Sequence, residues 1–249
     1  MECRDASTPA VPDQVLDDCN ESPKCDKGNY QELLGSLLYL VSGTRADIAF
    51  AVTNLARFSQ DPRDMHWEAL KRVVRYLAGT KEKGVLFPWG RDEALSAQTD
   101  ASWSVTRDGK GFSGYLVRVA GCLISWKVQK QKLVALSSAE AELLALVEGV
   151  RELMWVRGLL TELGSIHVQY PVKLYTDSQA AMSMVNNMGV TPRTKHYTRK
   201  LWFVRDEVVE RQNILLSFIK SENLEVDMLT KVLGTTLFKH HVAMLNLVN

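Results

Sequence analysis

Alternating hydrophobic and polar residues along the middle of the chain predict β-strands. The segment 95–104 (LSAQTDASWS) alternates in this way, and two further apolar segments follow it at 114–119 and 123–126. Glycine-containing turns separate the three, so we expect an antiparallel meander. Asp100 lies in the middle of the first strand, where aspartate is a poor β-former. A role other than strand propensity is therefore indicated for Asp100.

A long amphipathic helix is predicted after the meander. Ser137 and Glu140 have the spacing of a capping box ahead of an apolar periodic segment. Glu142 falls within the apolar stripe of this helix, whereas Glu140 falls on the opposite side. A buried carboxylate lowers stability unless it is paired or binds a cation. Glu142 is thus the candidate functional acid, although an acid at the rim of the core near the helix start would also explain it.

The remaining pattern adds a strand at 172–176, two helices, a strand at 214–219 and a short helix at 222–233. Asp177 follows the first of these strands and Asp227 lies on the last helix. Either could be an ordinary helix-start acid. If the first and fourth strands are neighbours with the long helix across one face, however, all four acids can converge, and four like charges would then require divalent cations.

The N-terminal part has a different character. Residues 1–29 are polar, contain three prolines and show no periodicity, which predicts a flexible linker. Residues 30–92 contain three amphipathic helical patterns and form a predicted helical segment. We predict an α/β domain at 93–235 and a C-terminal tail at 236–249.

Composition narrows the function classes. The 249 residues are 46% hydrophobic and 24% charged, and the formal net charge is +1, so any basic surface must be local. No apolar run approaches the ~20 residues of a membrane span. The 4 cysteines form no CxxC pair, which argues against a zinc site and fits reduced thiols in an intracellular protein.

The sequence motifs and their order along the chain resemble those of the RNase H domain in the Pol polyprotein of copia-type LTR retrotransposons. The resemblance rests on TDA (99–101), SGY (113–115), ISWK (124–127), VALSSAEAELLAL (134–146), YTDSQ (175–179), RTKH (193–196) and DMLTK (227–231). Upstream, GSLLYL (35–40), residues 45–52 and HWEA (66–69) resemble the segment that connects reverse transcriptase to RNase H in these elements.

This resemblance implies an RNase H-like α/β fold with a mixed five-stranded sheet, three strands antiparallel and two parallel, flanked by helices. It implies metal-dependent hydrolysis of the RNA strand of RNA:DNA hybrids. The catalytic and metal-binding acids of the family fall on Asp100, Glu142, Asp177 and Asp227. Two Mg²⁺ ions, or Mn²⁺ in their place, would bracket the scissile phosphate.

Substrate recognition needs further groups, for which the sequence offers two basic clusters and three polar residues. The clusters are either solvated charges or contacts to the phosphate backbone. The polar residues adjoin the candidate acids and could contact a 2′-hydroxyl across the minor groove. The complete set of candidates is Lys127, Lys130, Lys132, Arg193, Lys195, His196, Ser102, Ser178 and Gln179.

The chain has no polymerase-type paired aspartates, integrase motif or protease motif. We therefore expect a reverse transcriptase domain, absent from this chain, as a partner beside the RNA:DNA hybrid. One alternative is a catalytically silent remnant that only binds nucleic acid or a partner protein. Another is a strand-transfer enzyme of the same superfamily, which the order of Glu142 before Asp177 disfavours.

Overall fold

The computed structural model describes residues 4–17, 21–87, 94–164, 171–187 and 197–248. The helices in these ranges are α1 (Lys27–Gly43), α2 (Ala49–Ala56), α3 (Asp64–Ala78), α4 (Ser138–Leu163), α5 (Gln179–Asn186), α6 (Thr198–Arg205) and α7 (Thr235–Met244). The strands are β1 (Gly84–Val85), β2 (Leu95–Ala101), β3 (Phe112–Val119), β4 (Cys122–Lys130), β5 (Val172–Thr176), β6 (Ile214–Phe218) and β7 (Leu247–Val248). The chain divides into two compact units, Met1–Leu86 with Lys231–Asn249, and Phe87–Thr230.

The first unit contains the three predicted N-terminal helices. Helix α1 begins at Lys27, before the predicted start at residue 30, because the side chain of Asp26 accepts a hydrogen bond from the backbone N–H of Asn29 at 2.7 Å. The buried hydroxyl of Tyr30 donates to the carbonyl of Leu55 at 2.8 Å and joins α1 to α2. Residues predicted as a C-terminal tail include most of α7 and the strand β7, which pairs with β1.

The second unit contains the predicted five-stranded sheet. The strand order is β4-β3-β2-β5-β6, in which β2, β3 and β4 are antiparallel and β5 runs parallel to both β2 and β6. The prediction of an RNase H-like α/β fold with three antiparallel and two parallel strands is therefore confirmed.

Helix α4 covers one face of this sheet. Its N-cap is Ser137, whose hydroxyl accepts from the backbone N–H of Glu140 at 3.3 Å, and it ends at Gly164 with φ 62°. A Cβ atom on Gly149 would lie 2.2 Å from Cγ2 of Thr99. Glycine at 149 is thus required for α4 to approach β2 closely, and the interface continues into the main apolar core of the unit.

A short irregular segment covers the opposite face of β2 and β3. It consists of two 3₁₀ turns, Ser221–Asn223 and Glu225–Leu229, so the predicted helix at 222–233 is wrong. Its backbone hydrogen bonds connect residues three positions apart. The N–H of Asp227, for example, donates to the carbonyl of Leu224 at 3.1 Å. A Cβ on Gly114 would lie 3.0 Å from Cγ2 of Thr230, so the glycine lets this segment pack directly on β3.

Candidate active site

Three aspartates meet at one edge of the sheet. Asp100 lies near the C-terminal end of β2, and Asp177 directly follows β5, the parallel neighbour of β2. Asp227 lies in the 3₁₀ turn Glu225–Leu229. Asp100 is paired with Gly114 across the sheet, and this glycine admits the turn. As a result, each aspartate places one carboxylate oxygen within 4.8 Å of an oxygen of the other two.

The chemistry of this cluster fits a hard divalent cation. Asp100 and Asp227 are each only 2% exposed, and Asp177 is half-buried. Carboxylates this close repel one another when ionised, and a cation between them offsets that repulsion. Oxygen ligands are those preferred by Mg²⁺ and Mn²⁺. The three side chains can therefore hold such an ion.

Two hydroxyl groups orient these aspartates. Thr230, fully buried, donates to Oδ2 of Asp100 and also lies 3.1 Å from the carbonyl oxygen of Asp227. Ser221 donates to Oδ2 of Asp177. Neither residue was identified from the sequence as a site residue, although Thr230 belongs to the DMLTK motif. Hydrogen bonds of this kind hold metal-binding carboxylates in a defined orientation.

A buried ion pair anchors the turn that carries Asp227. Arg118 on β3 pairs with Glu225, and their side chains are 12% and 9% exposed. The amide of Gln98 on β2 donates to Glu225 at 3.2 Å and accepts from the N–H of Val226 at 3.4 Å. The turn is thus connected to both strands beneath it. Sequence patterns did not reveal this network because its members are far apart along the chain.

Glu142 occupies the start of α4, where it is 8% exposed, as predicted for the apolar stripe. Among the described residues, the carboxylates grouped within 4.8 Å are the three aspartates, and Glu142 is not among them. Thr99 faces α4, whereas its neighbour Asp100 points to the other side of β2 because strand residues alternate. Glu142 thus belongs to the helix on the opposite face of the sheet from the Asp227 turn.

Glu140 is not solvent-facing, contrary to the prediction. It is 9% exposed, and its carboxylate accepts a hydrogen bond from the N–H of Leu136 at 2.7 Å. The burial of Tyr197 raises the pKa of its hydroxyl, and the negative charge of Glu140 raises that pKa further. The helical projection missed this burial because residues outside the helix, before and after it in the chain, cover Glu140.

The predicted 2′-hydroxyl contacts have local roles in the fold. The buried Ser102 hydroxyl accepts from the N–H of Phe112 at 3.0 Å, and the Ser178 hydroxyl caps α5 by accepting from the N–H of Ala181 at 3.2 Å. Gln179, the first residue of α5, is exposed. Of the three, Gln179 has the freest access to a ligand.

Lys127, Lys130 and Lys132 line one groove of about 270 Å³, together with Arg151 and Lys200. Desolvation lowers the pKa of the Lys200 ammonium group, Glu148 opposes that effect, and Lys132 adds to it. Closely spaced cations of this kind favour an anionic ligand. The second predicted basic cluster, Arg193, Lys195 and His196, lies outside the described residues.

Comparisons with known proteins found similar retrotransposon sequences. The chain is 39% identical over 220 residues to the retrovirus-related Pol polyprotein from transposon TNT 1-94 of Nicotiana tabacum, covering 86% of this chain and 16% of that protein. It is 37% identical over 216 residues to the Pol polyprotein from transposon RE2 of Arabidopsis thaliana, covering 86% of this chain and 15% of the relative. The chain thus spans about a sixth of the length of these curated relatives.

Among solved structures, the chain is similar to LC11-RNase H1 in complex with an RNA/DNA hybrid, with a TM-score of 0.39 and 17% sequence identity. The match covers 55% of this chain and 93% of the LC11-RNase H1 chain. No protein-family model matches the sequence. In the described part of the chain, no helix is both long enough and apolar enough to cross a membrane.

Proposed function

We propose a function from one premise: this chain belongs to the copia-type retrotransposon Pol family. The function is that of a ribonuclease H, an endonuclease that hydrolyses the RNA strand of RNA:DNA hybrids with the help of divalent metal ions. The observation that supports it most directly is the convergence of Asp100, Asp177 and Asp227 at one edge of an RNase H-like sheet.

In this proposal the three aspartates hold Mg²⁺ or Mn²⁺, and Glu142 completes the catalytic set from the start of α4. When bound, the ions supply positive charge that activates the attacking water and stabilises the leaving oxygen. Asp100 and Asp227, both buried, keep their carboxylates in place, while the less buried Asp177 faces the side from which substrate arrives. Thr230 and Ser221 preserve the carboxylate orientations through their hydrogen bonds.

The basic groove formed by Lys127, Lys130 and Lys132 contacts the phosphate backbone of the hybrid in this proposal, and hybrid affinity should fall as salt rises. The predicted cluster of Arg193, Lys195 and His196 adds phosphate contacts. Ser102, Ser178 and Gln179 adjoin the acids and are proposed to recognise the RNA strand. Of these, exposed Gln179 is the one best placed to contact a 2′-hydroxyl.

We assign the activity to residues 93–235. Residues 30–92 serve as the segment that connects RNase H to a reverse transcriptase domain, and residues 1–29 serve as a linker. Residues 236–249, which include most of α7 and the strand β7, belong to the same unit as that segment. A reverse transcriptase domain outside this chain would then be a partner that helps to hold the hybrid.

The proposal is tested with an end-labelled RNA:DNA hybrid and the purified full chain in Mg²⁺ or Mn²⁺. Wild type should cut the RNA strand only when metal is present, and should leave duplex DNA intact. Asp100→Asn should abolish cutting. Asp206→Asn, which changes a half-exposed aspartate in the same unit, is the matched control and should cut normally.

A folded wild-type chain that binds the hybrid in both metals but leaves it uncut would refute the ribonuclease assignment. That result would support the alternative of a silent module that binds nucleic acid. Equal cutting by Asp100→Asn would instead attribute the activity to a contaminant.

A further inference from the structure

A cavity of about 490 Å³ lies within the first unit and contains none of the residues proposed for catalysis. Three parts of the chain line it: residues 5–7, the end of α3 with the turn that follows, and α7 with the strand β7. Small-molecule sites in proteins commonly have volumes of roughly 300–1,000 Å³. The cavity is therefore large enough for a small organic ligand.

Buried apolar residues form part of the lining. Tyr76 and Phe238 are an edge-to-face pair, with ring centroids 5.7 Å apart and ring planes at 75°. Val242 and Leu247 add aliphatic groups, and all four residues are at most 5% exposed. Aromatic rings favour offset or edge-to-face contacts with one another. A ligand that carries a ring can thus extend the Tyr76–Phe238 pair.

A buried polar network fixes this part of the lining. The hydroxyl of Tyr76 donates to Asp47 at 2.7 Å, and Asp47 pairs with Arg45, also at 2.7 Å. Arg45 in turn donates to the hydroxyl oxygen of Thr80, another lining residue, at 2.8 Å. Tyr76 and Thr80 are therefore held in position by the protein itself. A preformed site of this kind loses little affinity to reorganisation.

The N-terminal wall of the cavity is held against α3. A Cβ atom on Gly79 would lie 3.0 Å from Cβ and Cγ of Asp5, so the glycine admits the wall at close range. The guanidinium of Arg72 donates to the carbonyl of Thr8 at 3.0 Å and to its hydroxyl oxygen at 3.1 Å. These contacts keep residues 5–8 on the helix and the cavity closed on that side.

The charged groups of the lining favour an anion. Lys83 and Lys239 supply two ammonium groups, against the single carboxylate of Asp5. Within the described part of the chain, neither ammonium group forms an ion pair. Lys83 donates to the carbonyl of Leu247 at 3.5 Å, and a lysine ammonium has two further donors for a ligand. The excess of positive charge attracts an acidic group.

We propose that this cavity binds a small aromatic anion. Its ring system packs against the Tyr76–Phe238 pair, and its acidic group is bound by Lys83 and Lys239. The inference goes beyond the proposed ribonuclease function and does not depend on it, because every lining residue belongs to the first unit. The first unit then has a ligand site of its own.

The test compares two fluorescent probes on the purified full chain. The first is 8-anilinonaphthalene-1-sulfonate, an aromatic anion, and the second is N-phenyl-1-naphthylamine, which has the same rings without the sulfonate. Titrations should show one saturable site per chain for the sulfonate and about fivefold weaker binding of the neutral probe. Ala243→Phe places a ring at an exposed lining position and should abolish the site. Ala180→Phe, at an exposed position of α5, is the control and should bind as wild type does.

A second variant tests the charges. Lys83→Gln with Lys239→Gln should raise the Kd of the sulfonate about fivefold to tenfold, through the loss of two exposed charge contacts, and leave the Kd of the neutral probe unchanged. Lys24→Gln with Lys71→Gln changes the net charge equally within the same unit and should leave both Kd values unchanged. Circular dichroism confirms folding, and the lysine variant decides alone if Ala243→Phe does not fold.

Several results would overturn the inference. They are the absence of a saturable site in folded wild type, unchanged binding in Ala243→Phe, equal affinities of the two probes, and an unchanged sulfonate Kd in the lysine variant. Dodecanoate, a straight-chain anion, should displace the sulfonate only weakly, and tighter binding of dodecanoate would reject an aromatic ligand. Cleavage of the hybrid is measured separately, so the failure of either proposal leaves the other standing.

Discussion

The hydroxyl of Thr230 donates a hydrogen bond to Oδ2 of Asp100 and so joins the turn that carries Asp227 to strand β2. Both side chains are buried, with Thr230 at 0% and Asp100 at 2% exposure. One hydroxyl therefore sets the orientation of one candidate metal ligand relative to another. This makes Thr230 a positioning residue for the proposed centre.

Thr230→Val keeps the shape of the side chain and removes its hydroxyl. We expect the metal concentration for half-maximal cleavage to rise about 10-fold to 100-fold, as is typical when an outer partner of a metal ligand is lost. Mg²⁺ titrations of cleavage would measure this shift. Thr161→Val, whose hydroxyl bonds only within α4, is the control and should titrate as wild type does. An unshifted titration for Thr230→Val would exclude the positioning role.

Arg118→Met tests the buried ion pair beneath the Asp227 turn. The substitution leaves Glu225 buried without its charge partner, so we expect a loss of about 3–5 kcal/mol in the free energy of unfolding. Lys220→Met breaks a pair whose side chains are 74% and 69% exposed and should lose at most about 1 kcal/mol. Urea denaturation of both variants gives the comparison, and equal losses would contradict the assigned role of the Arg118 pair.

Glu142→Gln and Glu140→Gln separate two similarly buried acids at the start of α4. Removal of the Glu142 charge should reduce cleavage by more than about a hundredfold, beyond the usual effect of an outer partner. Glutamine at 140 can still accept the hydrogen bond from the N–H of Leu136, so stability and cleavage should both persist. Single-turnover cleavage rates of both variants and of wild type measure these effects. Full activity in Glu142→Gln would remove Glu142 from the catalytic set.

Gly149→Ala should destabilise the second unit by about 1–3 kcal/mol, because the new Cβ would overlap Cγ2 of Thr99. Thr99→Ser removes that methyl group and should restore part of the loss in the double variant. Gly158→Ala, at a position of α4 with open space around its Cβ, should instead stabilise by about 0.5–1 kcal/mol. Thermal unfolding of wild type, Gly149→Ala, the double variant Gly149→Ala with Thr99→Ser, and Gly158→Ala measures these effects. Unchanged stability in Gly149→Ala would contradict the close helix–strand packing.

His66 makes stability depend on pH in the first unit. Its Nδ1 accepts from the N–H of Arg63 at 3.0 Å and its Nε2 lies 2.9 Å from the carbonyl of Leu16, an arrangement that requires the neutral ring. Burial lowers the pKa of His66, with further lowering by Arg63 and Arg57 and opposing contributions from the Leu16 carbonyl and Asp17.

Since the folded-state pKa lies below the ordinary value near 6.5, the unfolded chain binds more protons as pH falls through that value. The stability contributed by His66 is complete above about pH 6.5 and is lost towards the lower, folded-state pKa. Urea denaturation between neutral and mildly acidic pH should show this decline, and His66→Gln should weaken it. An identical pH profile in the variant would rule out His66 as its source.

Local sequence patterns predicted the five strands of the main sheet and α4 with its Ser137 cap, and they singled out Asp100 and Glu142 as candidate acids. Asp177 and Asp227 became candidates only through the supposed neighbourhood of the strands and the family resemblance. These features are determined by periodicity and by side chains that act within a few residues, so they can be read along the chain. The turn Glu225–Leu229 could not be read in this way, because its packing on Gly114 depends on contacts distant in sequence.

Only the tertiary structure decided which groups support the acids. Thr230 meets Asp100, Arg118 meets Glu225 and Ser221 meets Asp177 across long separations in the chain. The burial of Glu140 likewise depends on residues outside α4, among them Leu136 and Tyr197. A sequence determines which chemistry is available and at what local spacing. Which side chains come together, and which remain exposed, is decided by how the strands pair and the loops pack.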